Sequence, residues 1–444
     1  MTAKNKLGIF DFTMIVIGLV IGMGIFRTAK DAASAAINPT IYFAAWIVGG
    51  IVALCGALTY AEIGSRYPVT GGYYKVFSYA YHPSIAFGLN SSILISNAAS
   101  VAGVALIGAG YISKVFLGTA AADIVKVLIA MSAIFIFYGV NLLGLKMSAK
   151  TQSILMLIKI GMIVLLITAL FFPSIYNADS PTTVTNESIG WKDWIRSFGI
   201  TLIAVSFTYG GYQQTINFGS EVDKASKNIP RSIFVGITVI ILLYLTVNIA
   251  YYKIVGFSNM KTTGEIASVV VGKMFGVTGA NFFSGLLFLS VLAYVNVSLM
   301  SNPRVVYAMS EDGIFPKAFQ KKNEKRDVFV VSLTVFSAVC IIVLFFADTF
   351  EKILSFSIFL DSFGMATSAG TIFILRKRTK HLDGTGIYKM RLFPLQPALF
   401  IAAYVFVCTS IIFNTPYIAM MGAGVLIGFT LIFFIVRKFS EKVY

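Results

Sequence analysis

Gly18-Leu19-Val20-Ile21-Gly22-Met23-Gly24-Ile25-Phe26 is the stretch on which the fold turns. It sets three glycines within seven residues, in the middle of an apolar run over 9–36. Each glycine weakens a helix by roughly 1 kcal/mol relative to alanine. A helix that unwinds in lipid frees backbone amides and carbonyls, which is tolerable only where they line a cavity or meet a ligand. The segment alone leaves a second reading open, in which Gly18 and Gly22 form a small-residue face for helix packing.

Composition supplies the surroundings. Of 444 residues, 57% are hydrophobic and 12% charged, and the mean hydropathy is +0.83. A water-soluble domain carries roughly a quarter charged residues, so the solvent for most of this chain is lipid. About twelve runs approach the roughly 20 residues needed to span a bilayer, over 9–36, 41–60, 85–116, 124–143, 154–172, 198–217, 233–255, 280–309, 328–346, 353–375, 395–412 and 418–436. They are too long for barrel strands and lack alternation, so the expected fold is an all-α polytopic membrane protein. The first run has no small-residue cleavage site after it and is expected to be a retained helix.

A second interruption decides the reading of the first. Phe207-Thr208-Tyr209-Gly210-Gly211-Tyr212 breaks the sixth run, at the place in helices six to ten that the first break holds in helices one to five. Paired interruptions at equivalent positions point to an inverted repeat with a binding site at mid-membrane. The expectation is a single domain over 1–444, with repeats at 9–172 and 198–375 and helices 11 and 12 at 395–436.

The net charge of +16 is distributed by side. Lys4, Lys6, Arg66, Lys75, Lys146, Lys150, Lys224, Lys227, Arg231, Arg304 and the bases at 317–326, 376–391 and 437–442 fall on one side if both termini do. That side is expected to be cytoplasmic, in a cell membrane, with the bases facing lipid head groups rather than nucleic acid. Cys55, Cys340 and Cys408 lie in apolar runs without metal or disulfide spacing, and His82 and His381 fall in loops. No metal site, cofactor or catalytic constellation is therefore expected, which argues against an enzyme. The scattered polar residues do not make the continuous ring that a pore needs.

Several motifs in order carry a family resemblance. Gly22 to Phe26, Ala61-Glu62-Ile63 with Pro68, Gly71-Gly72-Tyr73 and Pro83 to Phe87 form its first half. Phe207 to Tyr212, Asn217-Phe218, Glu221, Asn228-Ile229-Pro230-Arg231, Asn302-Pro303-Arg304, Tyr307-Ala308-Met309 and Asp312 to Pro316 form its second. The chain resembles the amino acid-polyamine-organocation superfamily over nearly its whole length, and most nearly the L-type amino acid transporter branch. The resemblance implies a LeuT-like arrangement of two inverted five-helix repeats plus two peripheral helices, working by alternating access. It further implies that a substrate carboxylate meets amides around Met23, Gly24 and Ile25, while its ammonium meets carbonyls near Val20, Phe207, Thr208 and Gly210. Helix-end electrostatics suit a zwitterion divided in this way. Met23 departs from the small serine common in the family.

Lys159 sits six residues into the fifth expected run, about 8 to 9 Å along its axis. It reads either as a lysine snorkelling to the interface or as a functional group in the membrane. With Gln152 seven residues before it, it resembles the fifth helix of sodium-independent members, where a lysine stands in the place of sodium. Asp361, central in the tenth run, reads as a vestibule residue, a proton acceptor or a hydrated carboxylate. Asn90, Ser96, Asn97, Tyr294, Asn296 and Ser298 read as pathway residues or as bonds between helices. Glu62, Arg66, Glu221 and Arg304, with Tyr212, form a possible gate at the cytoplasmic ends. With no second buried acid and no pocket arginine, a neutral L-amino acid is the expected substrate, moved without sodium and by exchange. Proton symport, and cationic amino acids or polyamines, stand as alternatives. The loop at 114–123 lacks the cysteine by which animal L-type members join a heavy subunit, so no disulfide-linked partner is expected.

Overall fold

The computed structural model describes residues 6–22, 24–117, 122–173 and 190–440. Nearly all of them are helical. Helices α1 (Ile9–Val20) and α2 (Gly24–Ala35) are two halves of one interrupted rod. They are followed by α3 (Pro39–Arg66), α4 (Gly72–Ala80), α5 (Pro83–Leu117), α6 (Asp123–Leu142), α7 (Leu145–Ile167) and α8 (Trp191–Tyr209). A 3₁₀ turn over Tyr212–Asn217 prolongs the line of α8 beyond a second interruption. Then come α9 (Ala225–Val255), α10 (Phe257–Met260), α11 (Ile266–Glu311), α12 (Val330–Leu344), α13 (Ala347–Arg378), α14 (Leu395–Asn414) and α15 (Pro416–Ser440). The strands among the described residues are two-residue stubs pairing Lys322–Asn323 with Val328–Phe329.

The protein is an all-α polytopic membrane protein. Ten stretches among the described residues are long and apolar enough to cross a membrane. The sixth and ninth expected runs fall short of that standard for different reasons. Helix α8 opens on Lys192, Asp193 and Arg196, and α12 has 15 residues, about 22 Å at 1.5 Å per residue against a core of about 30 Å.

Several boundaries differ from expectation, α9 for one starting at Ala225 rather than 233. Helix α7 begins at Leu145 rather than 154, because Ser148, Lys150 and Gln152 interrupt hydropathy without interrupting the helix. Lys159 therefore lies about 21 Å along the helix, near its middle. The eighth run starts at Ile266 and bends at Gly276, whose φ of 69° suits glycine. The sixth run is helical only to Tyr209.

Glycines set how closely the elements approach. A Cβ at Gly49 would lie 2.5 Å from Val205 Cγ1, and one at Gly56 would lie 2.4 Å from the Tyr212 hydroxyl, so α3 lies tight against α8 and the 3₁₀ turn. Around them Tyr42, Trp46, Tyr209 and Tyr244 are fully buried and meet edge to face or tilted, at 5.2 to 6.3 Å between centroids. Gly211 is the most constrained. Its φ is 112°, and a Cβ there would sit 2.1 Å from the Leu19 carbonyl oxygen.

Gly211→Ala adds backbone strain to a clash with main chain. The expected loss is about 2 to 5 kcal/mol, read as a lowered melting temperature of the purified protein; an unchanged melt would show that the two interruptions do not touch as described.

Candidate substrate site and end-closing ion pairs

The site is built from backbone that its own helices fail to satisfy. The ladder of α1 closes with Ile21 N–H on the Ile17 carbonyl at 2.7 Å, after which Gly22 N–H turns back to the Val20 carbonyl at 2.8 Å. The Ile21 carbonyl is left pointing at α7. There the Lys159 ammonium, fully buried, donates to it at 2.6 Å. Lys159 does not snorkel; it reaches the first break. Ile21 was not among the expected site residues, since a carbonyl leaves no mark in a side-chain pattern.

The second break lies against the first. A Cβ at Gly24 would come within 3.0 Å of Thr208 Cγ2, and Gly211 abuts Leu19. Thr208, Val20 and Ile25 are buried. Gly210 caps α8, its N–H donating to the Phe207 carbonyl at 3.3 Å, while the Phe207 side chain is exposed. The Val20 carbonyl takes the Gly22 amide and, at 3.5 Å, the Tyr244 hydroxyl. Of the carbonyls assigned to an ammonium, that of Phe207 thus keeps a lone pair beside the Gly210 amide, whereas that of Val20 already accepts from two donors. Met23 lies outside the described residues. The packing reading of the glycines holds for Gly18, which meets Gln152, whereas Gly22 and Gly24 belong to the interruption.

Of the expected pathway residues, Tyr294 reaches the break, its ring within 3.6 Å of where a Cβ on Gly22 would stand. Asp361 is half-buried in the middle of α13 and lies within electrostatic reach of Tyr73, Tyr294 and Tyr404. Asn97 instead binds Asn302 at 2.6 Å, joining α5 to α11, and Asn296 joins α11 to α7.

The four charged gate candidates form two separate networks at one end of the bundle. In the first, Glu62 is fully buried and accepts from Arg66 Nε at 2.7 Å, from Arg376 at 2.7 and 2.6 Å, and from Met390 N–H at 2.8 Å. Arg66 also donates to Asp383 at 2.7 Å, so α3, α13 and the loop after α13 are tied together. Arg66 and Lys389 hold the Asp383 carboxyl below its ordinary range. That contribution is complete above the free carboxylate pKa of about 3.9 and is lost only as pH falls through the lowered value. Arg376, Asp383 and Met390 were missed because a count of loop bases does not say which of them fold inward.

In the second network, Arg304 donates to Glu221 Oε2 at 2.8 and 2.6 Å and also to the Met300 carbonyl. Its guanidinium lies 4.3 Å from the centre of the Phe218 ring. The backbone of Glu221 and Asp223 pairs with Leu7 at 2.8 and 3.0 Å, which joins the segment before α1 to the segment after the second break. Tyr212 is fully buried in a different setting, 5.9 Å from Tyr60 between ring centroids.

Two membrane helices broken side by side at a fixed buried cation are the construction of a solute carrier, in which ligands meet free helix ends. Residues 7–436 match the amino acid permease family. The chain belongs to that family, a transporter of the APC superfamily related to the L-type branch, and it moves amino acids; it is not an enzyme. It is 27% identical to the serine/threonine exchanger SteT of Bacillus subtilis (strain 168) over 432 residues, 96% of this chain and 94% of that one. It is 26% identical to the branched-chain amino acid permease BcaP of the same strain over 479 residues, with shares of 99% and 94%. To the cystine/glutamate transporter of Homo sapiens it is 25% identical over 433 residues, with shares of 94% and 82%.

Removing one member of a buried ion-pair network leaves the others uncompensated, at about 3 to 5 kcal/mol, whereas an exposed pair contributes about 0 to 1. Glu62→Ala is therefore expected to lower the melting temperature far more than Glu265→Ala, which breaks the exposed Lys114–Glu265 pair. Equal shifts would show that the Glu62 network is solvated.

Proposed function

We propose that this protein is a sodium-independent carrier of neutral L-amino acids, working by exchange and alternating access. The observation that carries the reading is Lys159 Nζ on the Ile21 carbonyl: a fixed cation occupies the contact between the fifth helix and the first break. A mobile cation there would meet like charge at close range, so a sodium ion has no place in the same contact. On this reading the substrate zwitterion places its carboxylate at amides around Met23, Gly24 and Ile25 and its ammonium at the carbonyls of Val20, Phe207, Thr208 and Gly210. SteT is named an exchanger and BcaP a branched-chain permease, which supports exchange and an uncharged side chain.

On this reading the repeats run over 9–172 and 198–375, and the protein sits in the cell membrane with both termini and both ion-pair networks on the cytoplasmic side. Those networks are then the gate: Glu62 with Arg66, and Glu221 with Arg304, together with Tyr212. No disulfide-linked heavy subunit is part of the reading, since Cys55, Cys340 and Cys408 lie within α3, α12 and α14. Asp361 favours a second reading. It makes no hydrogen bond or ion pair among the described residues, and a carboxylate at mid-helix suits proton symport or a cationic substrate.

Counterflow in proteoliposomes tests these together. Labelled neutral L-amino acid is expected to enter only vesicles loaded with unlabelled amino acid, at a rate unchanged when sodium is replaced by choline; strict sodium dependence would overturn the assignment of Lys159. Uptake driven by a pH gradient alone, and lost in Asp361→Asn, would replace exchange with the second reading. Lys159→Ala, which leaves the Ile21 carbonyl unmet in the membrane, is expected to reduce counterflow at least about tenfold, corresponding to about 1.4 kcal/mol.

A further inference from the structure

A directed chain of hydrogen bonds crosses three helices and stops one group short. Asn141 on α6 donates its side-chain amide to the Phe137 carbonyl at 2.8 Å and to Asn296 Oδ1 on α11 at 3.1 Å. With its oxygen engaged, Asn296 must point its nitrogen onward. It donates to the Ser148 carbonyl at 3.1 Å and to Gln152 Oε1 on α7 at 2.9 Å. Each amide fixes the orientation of the next, so Gln152 Nε2 is the terminal donor and a flip would set donor against donor. Gln152 is fully buried, and that nitrogen has no partner among the described residues. It lies against α1, since a Cβ on Gly18 would stand 2.1 Å from it.

The matching acceptor is close by. In an unbroken helix the Gly22 amide would bond the Gly18 carbonyl; here it bonds Val20 instead, and no described residue donates to Gly18. A buried donor and a carbonyl released from its ladder thus both lie at the contact of α7 with α1, with no hydrogen bond between them in this conformation. Either one alone is costly in a dry interior.

We propose that Gln152 is a positioning residue of the transport cycle, its side-chain amide held in reserve for the Gly18 carbonyl in the alternate conformation. A small displacement of α1 along α7 closes that bond. The first break then rests on α7 through two carbonyls, Ile21 on Lys159 and Gly18 on Gln152, seven residues apart on one helix face. Gly18 has to be glycine because any side chain there would hold the amide off. The inference rests on the two-conformation carrier reading.

The test uses the full-length protein in proteoliposomes. Gln152→Met keeps the side-chain length and removes the donor. Gln152→Glu, neutral in this buried place, accepts from Asn296 and offers an O–H to Gly18. Gln152→Met is expected to lower counterflow turnover about tenfold while half-saturation stays within about twofold. Its melting temperature should stay close to that of wild type, because the unsatisfied donor goes together with the Oε1 that accepts from Asn296, whose nitrogen keeps the Ser148 carbonyl. Gln152→Glu should recover turnover to within about threefold of wild type. Wild-type turnover in Gln152→Met overturns the proposal, as does a joint loss of stability and substrate affinity, which would mark an ordinary packing residue. Absence of counterflow in the wild type itself would overturn the carrier reading instead.

Discussion

Lys159 and the Ile21 carbonyl each present the membrane interior with a group it cannot solvate. An ammonium near the middle of a spanning helix costs about 2.5 to 3.5 kcal/mol on insertion scales. A carbonyl freed from its ladder adds several kcal/mol more if it meets only lipid. Joined at 2.6 Å, each removes most of the other's penalty. The interruption of the first helix depends on this contact, and the architecture of the site depends on the interruption.

The second interruption follows from the first through geometry rather than charge. Once α1 stops at Val20, its terminal carbonyls project sideways, and only a backbone without a Cβ can pass them. Gly211, with φ of 112° beside the Leu19 oxygen, is that backbone. Gly24 makes the reciprocal approach to Thr208. Two broken helices can then share one polar centre, with aromatic packing around Trp46 and Tyr209 shielding it.

The membrane class and the two breaks were legible in the sequence because both are violations of a strong rule. Glycines inside a 20-residue apolar run stand out, and so does a lysine. What could not be read is whatever depends on direction. Asn296 appears as a polar residue in an apolar run and Gln152 as one just before a run, and nothing in their spacing shows that their amides align head to tail. Glu62 and Arg66 were expected together at a gate, whereas Arg376 and Asp383 come from more than 300 residues away in the chain and join the same network only after folding. The start of α7 was placed nine residues late because hydropathy marks lipid contact, and Ser148 and Gln152 are buried against protein instead.

The two ion-pair networks are unequal, and the inequality has a consequence on the alternating-access reading. Glu62 uses both carboxylate oxygens to hold three segments, at α3, α13 and Met390. Separating those segments would take Glu62 from Arg376 and, at the same time, Thr379 and Asp383 from Arg66. Glu221 binds Arg304 through Oε2 alone, and its Oε1 has no partner among the described residues. Arg304 keeps the Met300 carbonyl and the Phe218 ring as other contacts. The second network therefore opens at lower cost, and it is the one attached directly to the segment beyond the second break and, through Leu7, to the start of α1. Movement of the two broken helices would release Glu221 from α11 while the Glu62 network carries α3 and α13 as one body.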